Sequence, residues 1–372
     1  MVDFAVSDEQ EELRRSVRRF LADKSPSSEV RRLMATDEGY DPAVWTQMAE
    51  QLGLPGLAIP EELGGSGYTY VELAVVFEEA GAALLCSPLF ATVGLAANAL
   101  LSSDDDAAMK EYLPQIAAGE LTATLAFTED SGDWSAADTS TTATPAGDGW
   151  TLDGHKSFVV DGATAGLILV IANAPDGLSL FAVDRDAAGV ERAALPTMDQ
   201  TRKQARLTFA GTPARLIGTA GAGAGILART SSLGCAALAA EATGGAQRCM
   251  DMAVDYAKAR IQFGRPIGSF QAIKHKCSDM LVEVESARSA AYFAASEAAD
   301  NSPDLATAAS LAKAYCTDAF FHTAAENIQV HGGIGFTWEH DAHLYFKRAK
   351  SSQLMLGDPA SHREFIAQQI GI

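Results

Sequence analysis

The spacing of apolar residues changes twice along this 372-residue chain, which restricts it to several domains of mixed α and β structure. Over residues 1–119 the period is helical. Ser7 followed by Gln10 forms a capping box, after which Leu13, Val17, Phe20 and Leu21 recur on one face. Asp41-Pro42 is an N-cap with proline at the first helical position; Val44, Met48 and Leu52 make the stripe, and Gly53 ends it. The loop IPEELGGSGYTY then leads into an apolar helix that carries Glu78 and Glu79. Over 120–218 the period falls to two. LTATLAFTED alternates, Asp153-Gly154 in TLDGHKSFVV signals a hairpin, and GLILVIAN, LSLFAVDR and ARLTFAG add three strands. A small antiparallel β domain, barrel or sandwich, is expected there. Over 219–372 helical spacing returns in four segments of about 20 to 30 residues, broken at FGRPIGS and HGGIGF, which predicts a four-helix bundle.

Composition removes whole classes of function. A net charge of −20 repels nucleic acid and anionic membranes, although one local basic patch can still hold a small anion. The five cysteines are scattered without a CxxC pair, which reads as reduced thiols in a cytoplasmic protein. MVDFAVSDEQEEL has neither a basic n-region nor an apolar h-region, and no apolar run reaches the length of a membrane span.

Against that acidic background one stretch stands apart. KARIQFGRPIGSFQAIKH gathers Lys258, Arg260, Arg265, Lys274 and His275 without a carboxylate. Arg260 falls at a helix end, a tight Phe-Gly-Arg-Pro turn follows, and a new helix starts near Ser269. The planar fork of arginine suits a pyrophosphate, Phe263 offers a stacking face, and a helix start adds backbone donors. Further on, QVHGGIGF supplies paired glycines where a backbone comes close to something.

Three other features have plainer readings. TAGAGAGIL lacks the surrounding βαβ unit of a dinucleotide loop and reads as a flexible connector. His340 and His343 in EHDAH have no companion ligands, so no metal site is expected. Glu241 falls on a helix that should be buried; it is either a functional carboxylate or the partner of a bundle arginine such as Arg248.

Taken together, FAVSDEQEELRRSVRRFLAD, LGLPGLAIPEELGGSGYTYVELAVVFEEAG, RIQFGRPIGSFQ and QVHGGIGF make the chain resemble an acyl-CoA dehydrogenase over nearly its whole length. The resemblance implies FAD as cofactor, an acyl-CoA substrate and an electron-transfer flavoprotein as electron acceptor. In that family each FAD lies across a dimer interface. The set that grips the ADP half in a neighbour maps onto Arg260, Gln262, Phe263, Ile267, Phe270, Gln271, Gln329, Gly332 and Gly333, and it is complete.

The opposite half departs from the pattern. The family's catalytic glutamate falls at Leu356 in FKRAKSSQLMLGDP, followed by Gly357 and by Asp358 in place of a threonine. The alternative base position of some members, 26 residues before the arginine, is Gly234. Glu241 lies seven residues later, about 10 Å along the axis. In the β domain only Thr128 and Glu129 survive from the usual loop. Phe158 stands for a tryptophan, and Val160 for a threonine whose flavin hydrogen bond is worth about 1 kcal/mol. The resemblance therefore implies one subunit of an actinobacterial α2β2 steroid side-chain enzyme, with a homologous partner supplying the catalytic glutamate. A self-sufficient homotetramer using Glu241 or Asp358, and a flavin-free scaffold, are the alternatives.

Overall fold

A computed structural model describes residues 7–372; the first six residues, and with them the start of the N-terminal pattern, lie outside the described residues. In chain order the helices are α1 (Asp8–Lys24), α2 (Ser27–Met34), α3 (Pro42–Leu52), α4 (Tyr70–Ala82), α5 (Asn98–Leu101), α6 (Asp106–Ala117), α7 (Gly223–Ala259), α8 (Gln271–Ala299), α9 (Leu305–His331), α10 (Ala342–Leu354) and α11 (Pro359–Gln369). The strands are β1 (Ala123–Ala126), β2 (Thr142–Ala146), β3 (Gly149–Val160), β4 (Leu167–Ala174), β5 (Gly177–Asp184), β6 (Val190–Ala194), β7 (Gln204–Ile217), β8 (Ile261–Gln262) and β9 (Arg265–Pro266). The chain divides into two compact units, residues 1–31, 70–85 and 235–372, and residues 32–69 and 86–234.

In the β-containing unit, α3 forms as its signals require. Asp41 Oδ1 accepts the Ala43 N–H at 2.9 Å, and Gly53 takes φ 62° to end the helix. The buried face is centred on Trp45, Met48 and Ala49, one residue round from the expected stripe, because the Trp45 indole reaches the Gly119 carbonyl at 2.9 Å. The sheet closes on itself: β4 pairs with β5, β5 with β7, β7 with β3, β3 with β2, and β2 returns to β4. Leu152, Ile168, Val170, Phe181, Leu207 and Phe209 fill the interior.

This barrel is not purely antiparallel, because β1 and β2 both run parallel to β4. All four residues of β1 are buried, so its apparent alternation is that of a strand covered on both faces. Nor does Asp153-Gly154 make a hairpin. The β2–β3 turn is Gly147-Asp148, whereas Gly154 lies inside β3 at a register shift, with φ 133°. A Cβ there would sit 2.8 Å from the Thr141 Cα, so this glycine serves a close approach within the sheet. The GAGAG stretch is no flexible connector either. Gly221 donates its N–H to Ser179 Oγ at 2.8 Å, a Cβ on Gly223 would meet the Ser179 nitrogen at 2.6 Å, and α7 begins at Gly223.

The helical unit is organised around α4, which packs on α1 and α8. The expected capping box closes α1, whose buried residues are Arg14, Val17 and Leu21. From Leu73 to Gly81 every residue of α4 is buried, including Glu78 and Glu79. Its backbone lies directly against α7: a Cβ on Gly81 would overlap the Glu241 carbonyl, and one on Gly244 the Glu78 carbonyl. Three bundle helices are long, α7 with 37 residues, α8 with 29 and α9 with 27. The fourth expected long segment is instead two shorter helices, α10 and α11. They are split at a turn where Leu356 and Gly357 take φ 59° and 96° and Asp358 caps α11.

Because neither carbonyl can retreat without moving a helix, Gly244→Ala should destabilise the chain by about 3 kcal/mol, read as a lower denaturant midpoint.

Candidate cofactor and catalytic residues

The backbone after α7 builds a small exposed device. Arg260 N–H closes the helix on Tyr256 O at 2.8 Å, and β8 and β9 then pair through the two-residue turn Phe263-Gly264. Both turn residues have positive φ, 51° and 76°, which matches the twist of a tight hairpin but costs the phenylalanine about 1 kcal/mol or more. Phe263 is 91 % exposed and meets Phe270 edge-on at 6.1 Å. The Arg265 guanidinium lies 4.2 Å over the Phe270 ring. Arg260, Gln262 and Gln271 are exposed, while Ile267 and Phe270 are half-buried. α8 starts at Gln271 after Phe270, which gives no side-chain cap; the Ile273 N–H turns back to the Phe270 carbonyl at 3.1 Å, and the Gln271 and Ala272 N–H groups are left to the helix start beside the cations.

The second glycine-bearing motif meets the first. Tyr256 on α7 stacks on His331 at the end of α9, with ring centroids 4.3 Å apart. Gln329, Gly332 and Gly333 are exposed, and Gly332 takes φ 65° at the helix end. Among the described residues nothing lies within 4 Å of a Cβ built on Gly332 or Gly333; the left-handed φ of the helix end accounts for Gly332, whereas packing does not explain Gly333. Guanidinium, amide and uncapped backbone donors beside aromatic faces are a donor set that fits an anionic dinucleotide.

The catalytic candidates lie elsewhere. Glu241 is nineteen residues before Arg260 on α7, about 28 Å away along the axis. It is buried and bonded to Arg348 of α10 at 2.6 Å, not to Arg248. Arg248 is seven residues along the same helix, beyond the three- or four-residue reach of a helical side-chain pair. Asp358 is exposed and accepts both the N–H and the hydroxyl of Ser361, at 2.7 and 2.8 Å. Those bonds hold its carboxyl below the usual range.

Leu356 is buried in a turn that Lys313 and His362 support through three carbonyls. Lys313 Nζ donates to Gln353 O at 2.7 Å and to Gly357 O. His362 Nε2–H donates to Leu356 O at 2.9 Å. Lys313 is fully buried, and burial lowers its pKa to about 8. Burial, with the nearby Lys313 charge, pushes His362 down to about 4. Sequence reading overlooked both residues, although a lysine on the apolar face of LAKAYC was the available signal.

In the β-containing unit Thr128 donates to Ser157 O at 2.6 Å. Glu129 pairs with buried Lys156 at 2.9 Å and accepts from Ser140 and Thr141, bonds that hold its carboxyl far below the usual range despite burial. Val160 is buried, and Phe158 is 37 % exposed at φ 59°. His340 meets His331 at a tilt and His343 meets Trp338; among the described residues no group of three His, Cys, Asp or Glu could hold a metal.

The largest feature missed from sequence is a buried ion-pair lattice. Glu78 accepts from Arg14 at 2.8 Å, from Tyr292 at 2.9 Å and from Arg288. Glu79 accepts from Arg14 at 3.1 Å and from Arg18 at 2.7 Å. It lines a cavity of about 730 Å³ within the helical unit. No helix among the described residues is long and apolar enough to cross a membrane.

Family models for the N-terminal, middle and C-terminal domains of acyl-CoA dehydrogenase match residues 7–120, 124–211 and 221–371. The acyl-CoA dehydrogenase IpdE2 of Mycolicibacterium smegmatis is 37% identical over 354 residues, covering 95% of this chain and 96% of its own length. Among solved structures, the Tcur3481-Tcur3483 steroid ACAD matches at 31% identity and TM-score 0.89, covering 98% of both chains. The ChsE4-ChsE5 complex from Mycobacterium tuberculosis matches at 26% identity and TM-score 0.90, covering 99% of both. Together with the fold and the donor set, these matches make the chain a member of the acyl-CoA dehydrogenase family, FAD-dependent oxidoreductases.

Proposed function

We propose that this chain is the subunit without a catalytic base in a cytoplasmic, hetero-oligomeric acyl-CoA dehydrogenase of α2β2 type. The observation that carries the reading is the turn at residue 356. Its backbone is fully built and supported by Lys313 and His362, yet it presents a leucine, which cannot accept a proton. Neither remaining carboxylate replaces it: Glu241 neutralises Arg348, and Asp358 caps α11 in solvent. The homologous partner subunit then supplies the glutamate that removes the α-proton of the acyl thioester. FAD, when bound, takes up the two electrons of the α,β-desaturation, and an electron-transfer flavoprotein accepts them in turn. Relatives that include a steroid ACAD support a steroid side-chain acyl-CoA as the substrate. The division into segments 1–119, 120–218 and 219–372 belongs to this reading.

In that assembly the chain's own residues bind and orient. Arg260 and the first-turn N–H groups of α8 neutralise the cofactor pyrophosphate. Phe263 and Phe270 cover apolar ring surface, and Gln262, Gln271 and Gln329 hydrogen-bond its polar edges. Ile267 supports the hairpin, and Gly332 and Gly333 let the backbone approach. Their exposure, and the open space around both glycines, support contact with a partner's cofactor instead of one held inside this chain.

Co-expression with the homologous catalytic subunit, followed by counting flavin, tests the reading. Roughly two FAD per tetramer are expected instead of four. Arg260→Ala in this chain should weaken FAD retention about tenfold or more, since a charge-assisted bond is lost. A lone chain that carries stoichiometric FAD and bleaches with an acyl-CoA would overturn it.

The structural role given to Glu241 is separately checkable. Arg348→Met strands a buried carboxylate and should cost about 3–5 kcal/mol in denaturant unfolding, while pairing it with Glu241→Gln should recover much of that loss. If Glu241→Gln left stability untouched but abolished turnover of the complex, Glu241 would be the base.

A further inference from the structure

Beneath the Gly332–Phe336 turn three rings lie in a row: Tyr256 stacks on His331, and His331 meets His340 at a tilt of 49°. The His331 and His340 centroids are 4.2 Å apart. His331 forms the floor of the turn: its Nδ1–H donates to Asn327 O at 2.9 Å, and a Cβ on Gly335 would come within 2.9 Å of its own Cβ. His340 closes the far end of the segment. The Ala342 N–H donates to its Nδ1 at 3.1 Å, so that nitrogen must present a lone pair. Arg31 pins the same segment through Asp341 and the Trp338 carbonyl, both at 2.7 Å.

We propose that His340, in tilted ring contact with His331, is an acid-sensitive latch that holds the Gly332–Trp338 segment in its closed arrangement. A proton on Nδ1 replaces the acceptor with a donor aimed at the Ala342 N–H. It also puts a cation against the His331 ring and near Arg31. The groups facing the pair are Tyr256 from α7, Arg31 from α2, and Asp341 beside His340. Asp341 is the one carboxylate among them, and Arg31 already occupies it. His343, next on α10, faces Lys347 and Arg31 and adds no compensating charge.

The linkage has one sign. Burial holds both His331 and His340 below the ordinary value of 6.5, so the open form binds more protons than the closed one. The stability of the closed turn is complete above that value and falls as the pH drops below it. Gly332 and Gly333 are among the residues assigned to the cofactor, so opening would weaken that grip. This consequence rests on the proposed function, whereas the latch itself can be read on the full chain without cofactor.

The test is hydrogen–deuterium exchange of peptides spanning 332–342, followed from about pH 8 to about pH 5.5, corrected for intrinsic rates and referred to α8. Protection in the wild type should fall about tenfold over that range. His340→Asn, whose amide oxygen can accept the Ala342 N–H but cannot take a proton, should lose less than about threefold. A flat wild-type profile, or an equal slope in the variant, overturns the proposal. Should the asparagine variant be loose at every pH, His331→Phe decides. It keeps a ring beneath His340 and removes the other titrating member, so the acid loss must persist; a flat profile there also overturns the assignment.

Discussion

Two adjacent carboxylates on α4 lie out of water, and the geometry of the helical unit follows from how their charge is met. Glu78 and Glu79 are 3% and 4% exposed, and arginines from α1 and α8 converge on them. Burying such charges brings little net stability, since desolvation offsets most of the attraction. What it does is penalise every arrangement in which a carboxylate loses its arginine. α1, α4 and α8 are thereby held in one register. The α4–α7 contact leaves still less freedom, because Gly81 and Gly244 put each backbone against the other's carbonyl. The path of α7, and the position of the hairpin at its end, are inherited from this contact.

The features legible in sequence were those written locally. The Ser7–Gln10 box, the Asp41-Pro42 cap and the end of α7 at Arg260 each depend on residues within one turn, and each formed as expected. Partners chosen by tertiary packing were not legible. Arg14 shares a face with Val17 and Leu21, and Lys313 sits among alanines, so each announced a buried charge without naming what would neutralise it. Glu241 is the instructive case: the sequence offers Arg248 on the same helix as its partner, whereas the fold supplies Arg348 from α10. Glycine misled for a similar reason. Gly154 and Gly223 mark close approaches of backbone and not turns or linkers, and only the neighbouring strand reveals that.

Local strain and internal satisfaction distinguish the two sets of site residues. Around residue 356 the carbonyls of Gln353, Leu356 and Gly357 have donors from the same chain, and the leucine side chain is buried and inert. At the α7–α8 hairpin the reverse holds. Phe263 bears a left-handed backbone and exposes nearly its whole ring, and its edge contact with Phe270 leaves most of that ring without a neighbour among the described residues. Strain kept without an internal return is reasonably ascribed to something outside the chain. The same reasoning applies to Gly333, whose missing side chain makes room for nothing among the described residues, whereas Gly332 answers to the left-handed end of α9.

Electrostatics explains why that outside contact must act at short range. A chain with net charge −20 repels a pyrophosphate from afar, but screening confines the repulsion to about 8 Å at physiological salt. Within that distance the hairpin is locally basic, and one of its arginines is partly fixed in advance, with the Arg265 guanidinium 4.2 Å over the Phe270 ring. A guanidinium anchored on a ring loses less freedom when it binds an anion than one waving in solvent. On the proposed function the acidic remainder works in the same direction as the donor set: it discourages polyanions that cover a wide surface, and leaves the hairpin and helix start to a small anion.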